Sequence, residues 1–136
     1  MILADSSAWI EFDRATGSDV DQRMTTLVGE GSRLAVSEPI VMEVTAGARS
    51  DRAAARLRDL LLSFPLLPVD PAADFDAAAR IYRRCRRAGV TPRGMVDCLI
   101  ASVAWRCGAA ILAQDVDLRR IANVMGVALD GLTDPT

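Results

Sequence analysis

The sequence contains no histidine and no lysine, and all 16 of its basic residues are arginine. Without histidine there is no Ser-His-Asp or Cys-His catalysis and no histidine-ligated metal site. Without lysine there is no Walker A phosphate loop and no Schiff-base chemistry. Cysteine is scarce: Cys85, Cys98 and Cys107 are odd in number and lack zinc-site spacing. They read as small apolar residues of a protein in the reducing cytoplasm. Aromatic residues make up 4% of the chain, too few to thread single-stranded RNA on a series of rings. Trp9 and Trp105 therefore read as core or interface residues. No apolar run approaches ~20 residues, so no membrane span is expected. No basic segment precedes an apolar one, so no signal peptide is expected. The net charge of -2 excludes a polycation, and any nucleic-acid contact must come from a local patch. Acid–base or metal chemistry is left mainly to carboxylates.

What is present is a core. The chain has 136 residues, 51% of them hydrophobic, enough for one domain around one interior. The domain is expected over residues 1–132, with a tail at 133–136. Short apolar runs predict strands at 2–5, 34–37, 64–70 and 109–113, with a further one at 126–130. Helical spacing predicts helices at 8–14, 19–29, 38–46, 51–63, 71–87, 95–107 and 117–125. Ser6 or Ser7 is the expected cap of the first helix. The prolines at 65 and 68 mark residues 64–70 as an edge strand. Strands alternating with helices predict an α/β fold. The expected form is a three-layer α/β/α sandwich around a mainly parallel sheet of four to five strands.

The opening stretch sets the functional question. Ile2-Leu3-Ala4 is apolar and stops at Asp5, where Ser6 and Ser7 follow. Asp5 is thus placed at the carboxyl end of a central strand, where open α/β sheets bind ligands. Asp115 ends the 109–113 strand in the same way, and Asp117 follows it. Ile40, Glu43, Val44 and Gly47 share one stripe of a helix, and Asp97, Ile100, Ala101 and Ala104 share another. Glu43 and Asp97 therefore face inward, where charged residues rarely sit without a partner. Two like charges ~4 Å apart repel by about 4 kcal/mol at an effective dielectric near 20. Mg²⁺ or Mn²⁺ removes that repulsion, and both ions favour carboxylate oxygen and water. Such an ion, held without histidine or lysine, suits phosphodiester hydrolysis.

Asp5-Ser6-Ser7-Ala8-Trp9-Ile10, Glu43, Asp97-Cys98-Leu99-Ile100-Ala101 and Ala113-Gln114-Asp115-Val116-Asp117-Leu118 together resemble the PIN domain. In length and order the chain resembles the single-domain VapC toxins of bacterial toxin–antitoxin pairs. The resemblance implies an α/β/α sandwich and Mg²⁺- or Mn²⁺-dependent endoribonuclease activity on tRNA or ribosomal RNA. It also implies a homodimer and a cognate VapB antitoxin that covers the acidic site. The family's acidic quartet falls on Asp5, Glu43, Asp97 and Asp115, with Asp117 at an additional acidic position. Asp5, Asp97, Asp115 and Asp117 are the expected metal ligands. Ser6 stands where many members have threonine and is expected to orient a water or phosphate. Ala113-Gln114 departs from the frequent Thr-Asn.

Two other functions fit strand-end aspartates. One is a phosphoaspartyl protein, either a receiver domain or a haloacid-dehalogenase-like phosphatase; both normally use the lysine that this chain lacks. The other is a non-catalytic domain that only binds RNA or an antitoxin. Asp70 also ends an expected strand, but Pro71 follows and a capping role suffices. Arg80, Arg83, Arg84, Arg86 and Arg87 form a basic run on one helix, read first as a solvated face, with an RNA-phosphate patch as the alternative because arginine forks match phosphate oxygens. Arg93, four residues before Asp97, is the favoured arginine for substrate contact.

Overall fold

The computed structural model describes residues 1–131. Residue 132 and the expected tail at 133–136 lie outside the described residues. In chain order the elements are β1 (Ile2–Ala4), α1 (Ser6–Asp13), α2 (Asp19–Glu30), β2 (Leu34–Ala35), α3 (Glu38–Ala46) and α4 (Asp51–Leu62). Then come α5 (Asp74–Arg87), α6 (Met95–Cys107), β3 (Ala110–Leu112) and α7 (Val116–Met125).

The sheet runs β2-β1-β3, all parallel. Ile2 pairs with Leu34 and Ala110, and Leu3 with Ala35 and Ile111. All three residues of β1 are buried, as a central strand covered by helices on both faces requires. One core joins the sheet to α1 through α4 and to one side of α6, through Ile100, Val103 and Ala104. The other side of α6 packs Cys98 and Ala101 against Ile81 and Cys85 of α5 and Ile121 of α7. This is the three-layer sandwich.

The sheet has three strands among the described residues, not four to five. The 64–70 segment meets it at one parallel bridge, Leu66 with Val36. Val36 N donates to Pro65 O at 2.9 Å, and Leu67 N to Val36 O at 2.7 Å. Pro65 and Pro68 have no N–H with which to extend that ladder. The 126–130 segment also makes one bridge, Leu129 with Ile111. It is then drawn aside, because Asp130 pairs with Arg23 of α2 at 2.8 Å.

Three helix starts differ from expectation, two of them because an aspartate caps the helix. α1 starts at Ser6, since Asp5 rather than a serine caps it and accepts from Ser7 N. α7 starts at Val116, capped by Asp115, which accepts from Asp117 N. α5 starts at Asp74, because Asp70 Oδ1 takes Ala72 N at 3.0 Å and holds residues 71–73 in a turn. Asp70 thus shapes the turn ahead of the helix rather than taking the expected capping role: the N-cap of α5 is Ala73, without a side-chain cap bond. Gly108 ends α6 at φ +65°, a left-handed turn that feeds α6 directly into β3.

Candidate active site

Asp5 leaves β1 and Asp115 follows β3, so the central and adjacent strands carry both aspartates to the same sheet edge. Glu43 enters from the middle of α3, and Asp97 from the first turn of α6. Asp5, Glu43, Asp97 and Asp115 line one open cleft of about 450 Å³, with Ser6 and Arg93 on its wall. A larger hollow of about 500 Å³, between α1, α3 and α4, contains none of the predicted acids.

Asp5 is 2% exposed. Its Oδ2 accepts from Ser7 N at 3.2 Å and from Ser7 Oγ at 2.8 Å. Its Oδ1 is buried and has no hydrogen-bond partner. Such an orphaned acceptor is costly unless something outside the protein satisfies it. Burial pushes the Asp5 carboxyl above its ordinary pKa; bonds from Ser7 and Ser6 oppose this, and Asp115 adds to it.

Glu43 is half-buried and accepts from Ser6 Oγ at 3.2 Å. Burial and then the charge of Asp5 raise its pKa, against the bond from Ser6. Asp97 is the most perturbed of the group. Burial pushes it up to about 7, and Asp5, Asp115, Glu43 and Asp117 each push the same way. Among the described residues no hydrogen bond or cation offsets them there.

Arg93 is already engaged. Its Nη2 lies 2.8 Å from Asp115 Oδ1 and its Nε 3.9 Å from Asp117 Oδ2. Its backbone N donates to Asp117 Oδ2 at 3.0 Å. The side chain is nonetheless 76% exposed, so the guanidinium sits at the mouth of the cleft. Asp117 is buried beside the cleft rather than on its lining. The five arginines of α5 are exposed and lie off the cleft lining.

Sequence reasoning missed Ser7. Its hydroxyl donates to Asp5 while accepting from Gln114 N at 3.0 Å and Asp115 N at 3.1 Å. One side chain thus ties the end of β1 to the loop after β3. The one signal for it was a second hydroxyl residue two positions after a strand-end aspartate.

The chemistry of the donor set fits a hard divalent cation: carboxylate oxygens, one of them buried and unpartnered, and one acid whose charge nothing offsets. Among the described residues no three acidic side chains already close around a single point. The set is an open acidic cleft, not a preformed cage.

The PIN domain model matches residues 2–124. The chain belongs to the PIN domain family. Its relatives include VapC ribonuclease Mb1587 of Mycobacterium bovis and ribonuclease VapC11 of Mycobacterium tuberculosis. Each is 48% identical over 125 residues, covering 91% of this chain and 93% of the relative. In structure the PIN domain is similar to the DNA-bound VapBC of Salmonella typhimurium, with a TM-score of 0.70 and 21% identity over 95% of this chain and 96% of the other. It is also similar to Mycobacterium tuberculosis VapC20, a sarcin-ricin loop cleaving toxin, with a TM-score of 0.64 and 18% identity over 87% and 92% of the two chains. At these identities the structural likeness speaks to the fold. No helix among the described residues of this PIN domain is long and apolar enough to cross a membrane.

Proposed function

We propose that this PIN domain is a VapC-type toxin: a Mg²⁺- or Mn²⁺-dependent endoribonuclease that hydrolyses phosphodiester bonds of tRNA or ribosomal RNA in the cytoplasm. The observation that carries the reading is the meeting of Asp5, Glu43, Asp97 and Asp115 in one cleft around the unpartnered Asp5 Oδ1. The ribonuclease relatives support it. The absence of lysine and the family assignment weigh against a phosphoaspartyl enzyme.

Asp5, Asp97 and Asp115 would hold the ion, with Asp117 supporting from the side. Once bound, the ion supplies an acidified water and charge neutralisation at the phosphate. Glu43, raised above its ordinary pKa and oriented by Ser6, takes the proton of the attacking water. The water oxygen bonds to phosphorus, the bond to the leaving ribose oxygen breaks, and that oxygen takes a proton from solvent to leave as a hydroxyl. Ser6 and Arg93 contact the phosphate at the mouth of the cleft. Arg93 must loosen its hold on Asp115 to do so, or must bridge the two.

A homodimer and a VapB-type antitoxin that covers the cleft complete the proposal. The structural neighbours that are VapBC complexes support that partner. Expressing the chain should arrest growth and leave new RNA ends at defined positions. Asp5→Asn and Asp97→Asn should remove both effects while the far-UV circular dichroism is retained. A folded Asp97→Asn protein that cleaves at the wild-type rate would mean that the domain is not a nuclease of this kind. A wild-type protein that binds RNA without cutting it would favour the non-catalytic reading.

A further inference from the structure

α5 carries five exposed arginines, none of them in an ion pair among the described residues, with the exposed Asp76 four residues before Arg80 as the nearest acid on the stripe. Elsewhere Arg23, Arg33, Arg56, Arg93 and Arg106 each meet a carboxylate. Arg14, Arg49, Arg52, Arg58, Arg119 and Arg120 meet none among the described residues, but no other helix gathers more than two such arginines. On α5, among the described residues, Arg80, Arg83, Arg84 and Arg87 meet none, and Arg86 lies over the ring of Tyr82 at 5.9 Å. The one fully buried acid of α5, Asp74, is taken by Arg106. A protein of net charge -2 thus concentrates uncompensated positive charge on one helix. Such a face repels itself and is stabilised by a polyanion.

The charge has a shape. Arg80, Arg84 and Arg87 follow one another at i, i+4 and i+7, on one stripe about 10 Å long at 1.5 Å per residue. Together with Trp105 of α6 and Met125 of α7 they line a groove of about 320 Å³. Trp105 is 64% exposed, which excludes the core and leaves the interface half of its reading. A large ring held beside three guanidinium groups offers a stacking face next to phosphate-binding forks. The groove also leads toward the chemistry. Arg87 ends α5, and six residues later Arg93 stands at the mouth of the acidic cleft.

We propose that the α5–α6 groove is an extended RNA-binding surface, in which Arg80, Arg84 and Arg87 hold backbone phosphates and Trp105 stacks on a base. The proposal rests on the nuclease reading above and adds to it a site outside the cleft. RNA is favoured over a protein partner because the stripe offers guanidinium groups with no acid interleaved, the pattern that phosphates at regular spacing satisfy.

The test uses the full chain, with bulk bacterial tRNA as the probe. Binding is followed by anisotropy in EDTA, so that nothing is cut. Arg80→Gln/Arg84→Gln/Arg87→Gln should bind about tenfold more weakly near 0.1 M salt, with the salt slope falling by about 2, or roughly 0.7 per lost single-strand phosphate contact. A control that removes the same charge, Arg49→Gln/Arg52→Gln/Arg58→Gln, should bind as wild type. Binding of tRNA should quench tryptophan emission, and Trp105→Phe should remove that quenching, because Trp9 is only 1% exposed. Equal weakening by both triple variants would overturn the proposal, since net charge alone would then explain binding. So would wild-type affinity in the α5 variant accompanied by a shift in the monomer–dimer balance, which would make the groove a self-association face. Hydrolysis of bis(p-nitrophenyl) phosphate with Mn²⁺ reports on the cleft separately. Wild-type protein inactive on that diester and on RNA would sink the nuclease reading. Loss of RNA binding in the α5 variant, with the diester still cleaved, supports the groove.

Discussion

The Ser7 hydroxyl lies 2.8 Å from Asp5 Oδ2 and donates to it. The same oxygen receives the amides of Gln114 and Asp115. Asp5 and Asp115 are therefore held in one frame by a side chain that belongs to neither. Ser7→Ala removes the hydroxyl donor to a buried carboxylate and the acceptor for two amides. The expected cost is about 1–3 kcal/mol of stability, measured by urea denaturation. Cleavage should fall further than with Ser6→Ala, because the Ser6 hydroxyl bonds only to Glu43 among the described residues and its backbone bond to Asp5 survives the change. Equal activity losses in the two variants would show that the loop after β3 keeps its place without Ser7.

The pH dependence of the metal-free protein has a definite sign. Asp97 is raised from 3.8 to about 7 in the folded state. Between those values the folded protein binds more protons than the unfolded chain, so stability falls as pH rises through that window. Asp5 and Glu43 are raised as well and add in the same direction. In EDTA the melting temperature should therefore be higher at pH 5 than at pH 8. Asp97→Asn should raise it at pH 8 and leave it nearly unchanged near pH 4. A melting temperature that climbs steadily from pH 5 to pH 8 would rule out the crowded acidic cleft.

The same repulsion predicts a response to metal. Mg²⁺ or Mn²⁺ that binds only the folded state stabilises it by about 2.7 kcal/mol at a hundred times its dissociation constant. Adding Mn²⁺ in a thermal melt at pH 8 should reverse the loss seen in EDTA. The shift should shrink in Asp5→Asn, which removes half of the orphaned carboxylate's acceptor capacity. Calcium or zinc giving a larger shift than either ion would argue for a different donor set.

The acids were legible in the sequence because each sits where periodicity constrains it. Asp5 breaks an apolar strand, and Glu43 and Asp97 interrupt apolar helical stripes whose other members, Ile40 and Val44 or Ile100 and Ala104, are buried. Ser7 was not legible, because its two amide partners lie 107 and 108 residues away in a loop. Pairing across that distance leaves no local pattern. The outer strands were overcalled because apolar composition alone does not make a ladder: Pro65 and Pro68 lack donors, and Asp130 is claimed by Arg23. The sequence leaves Trp105 between core and interface because it lies near the end of an apolar helix, and composition cannot say which side of the last turn faces out. The Arg93 pairing was missed because Asp115 approaches from another element, 22 residues on.

Asp74 tests whether the second layer of helices holds the site in place. It is fully buried at the start of α5. It accepts from Ser102 Oγ at 2.7 Å and from Arg106 Nη2 at 2.8 Å, both on α6. Arg106 Nη2 also donates to Pro68 O at 2.7 Å, which pins the edge segment. Burial alone would push the Asp74 carboxyl up, but bonds from Arg106, Asp70 N and Ser102 bring it below its ordinary value. Its contribution is thus present above the unfolded pKa near 3.8 and is lost as pH falls through the lower folded value, the opposite sign to Asp97. Asp74→Ala should cost about 1–3 kcal/mol, because it strands the buried Ser102 hydroxyl; Arg106, being exposed, can turn to solvent and adds little. Asp74→Asn should recover part of that by keeping the Ser102 bond. Neither variant touches the acidic cleft, so both should keep wild-type cleavage at temperatures where they remain folded. A loss of activity in folded Asp74→Asn protein would mean that α6 carries strain from its far end to Asp97, eight residues before Trp105 and nine before Arg106.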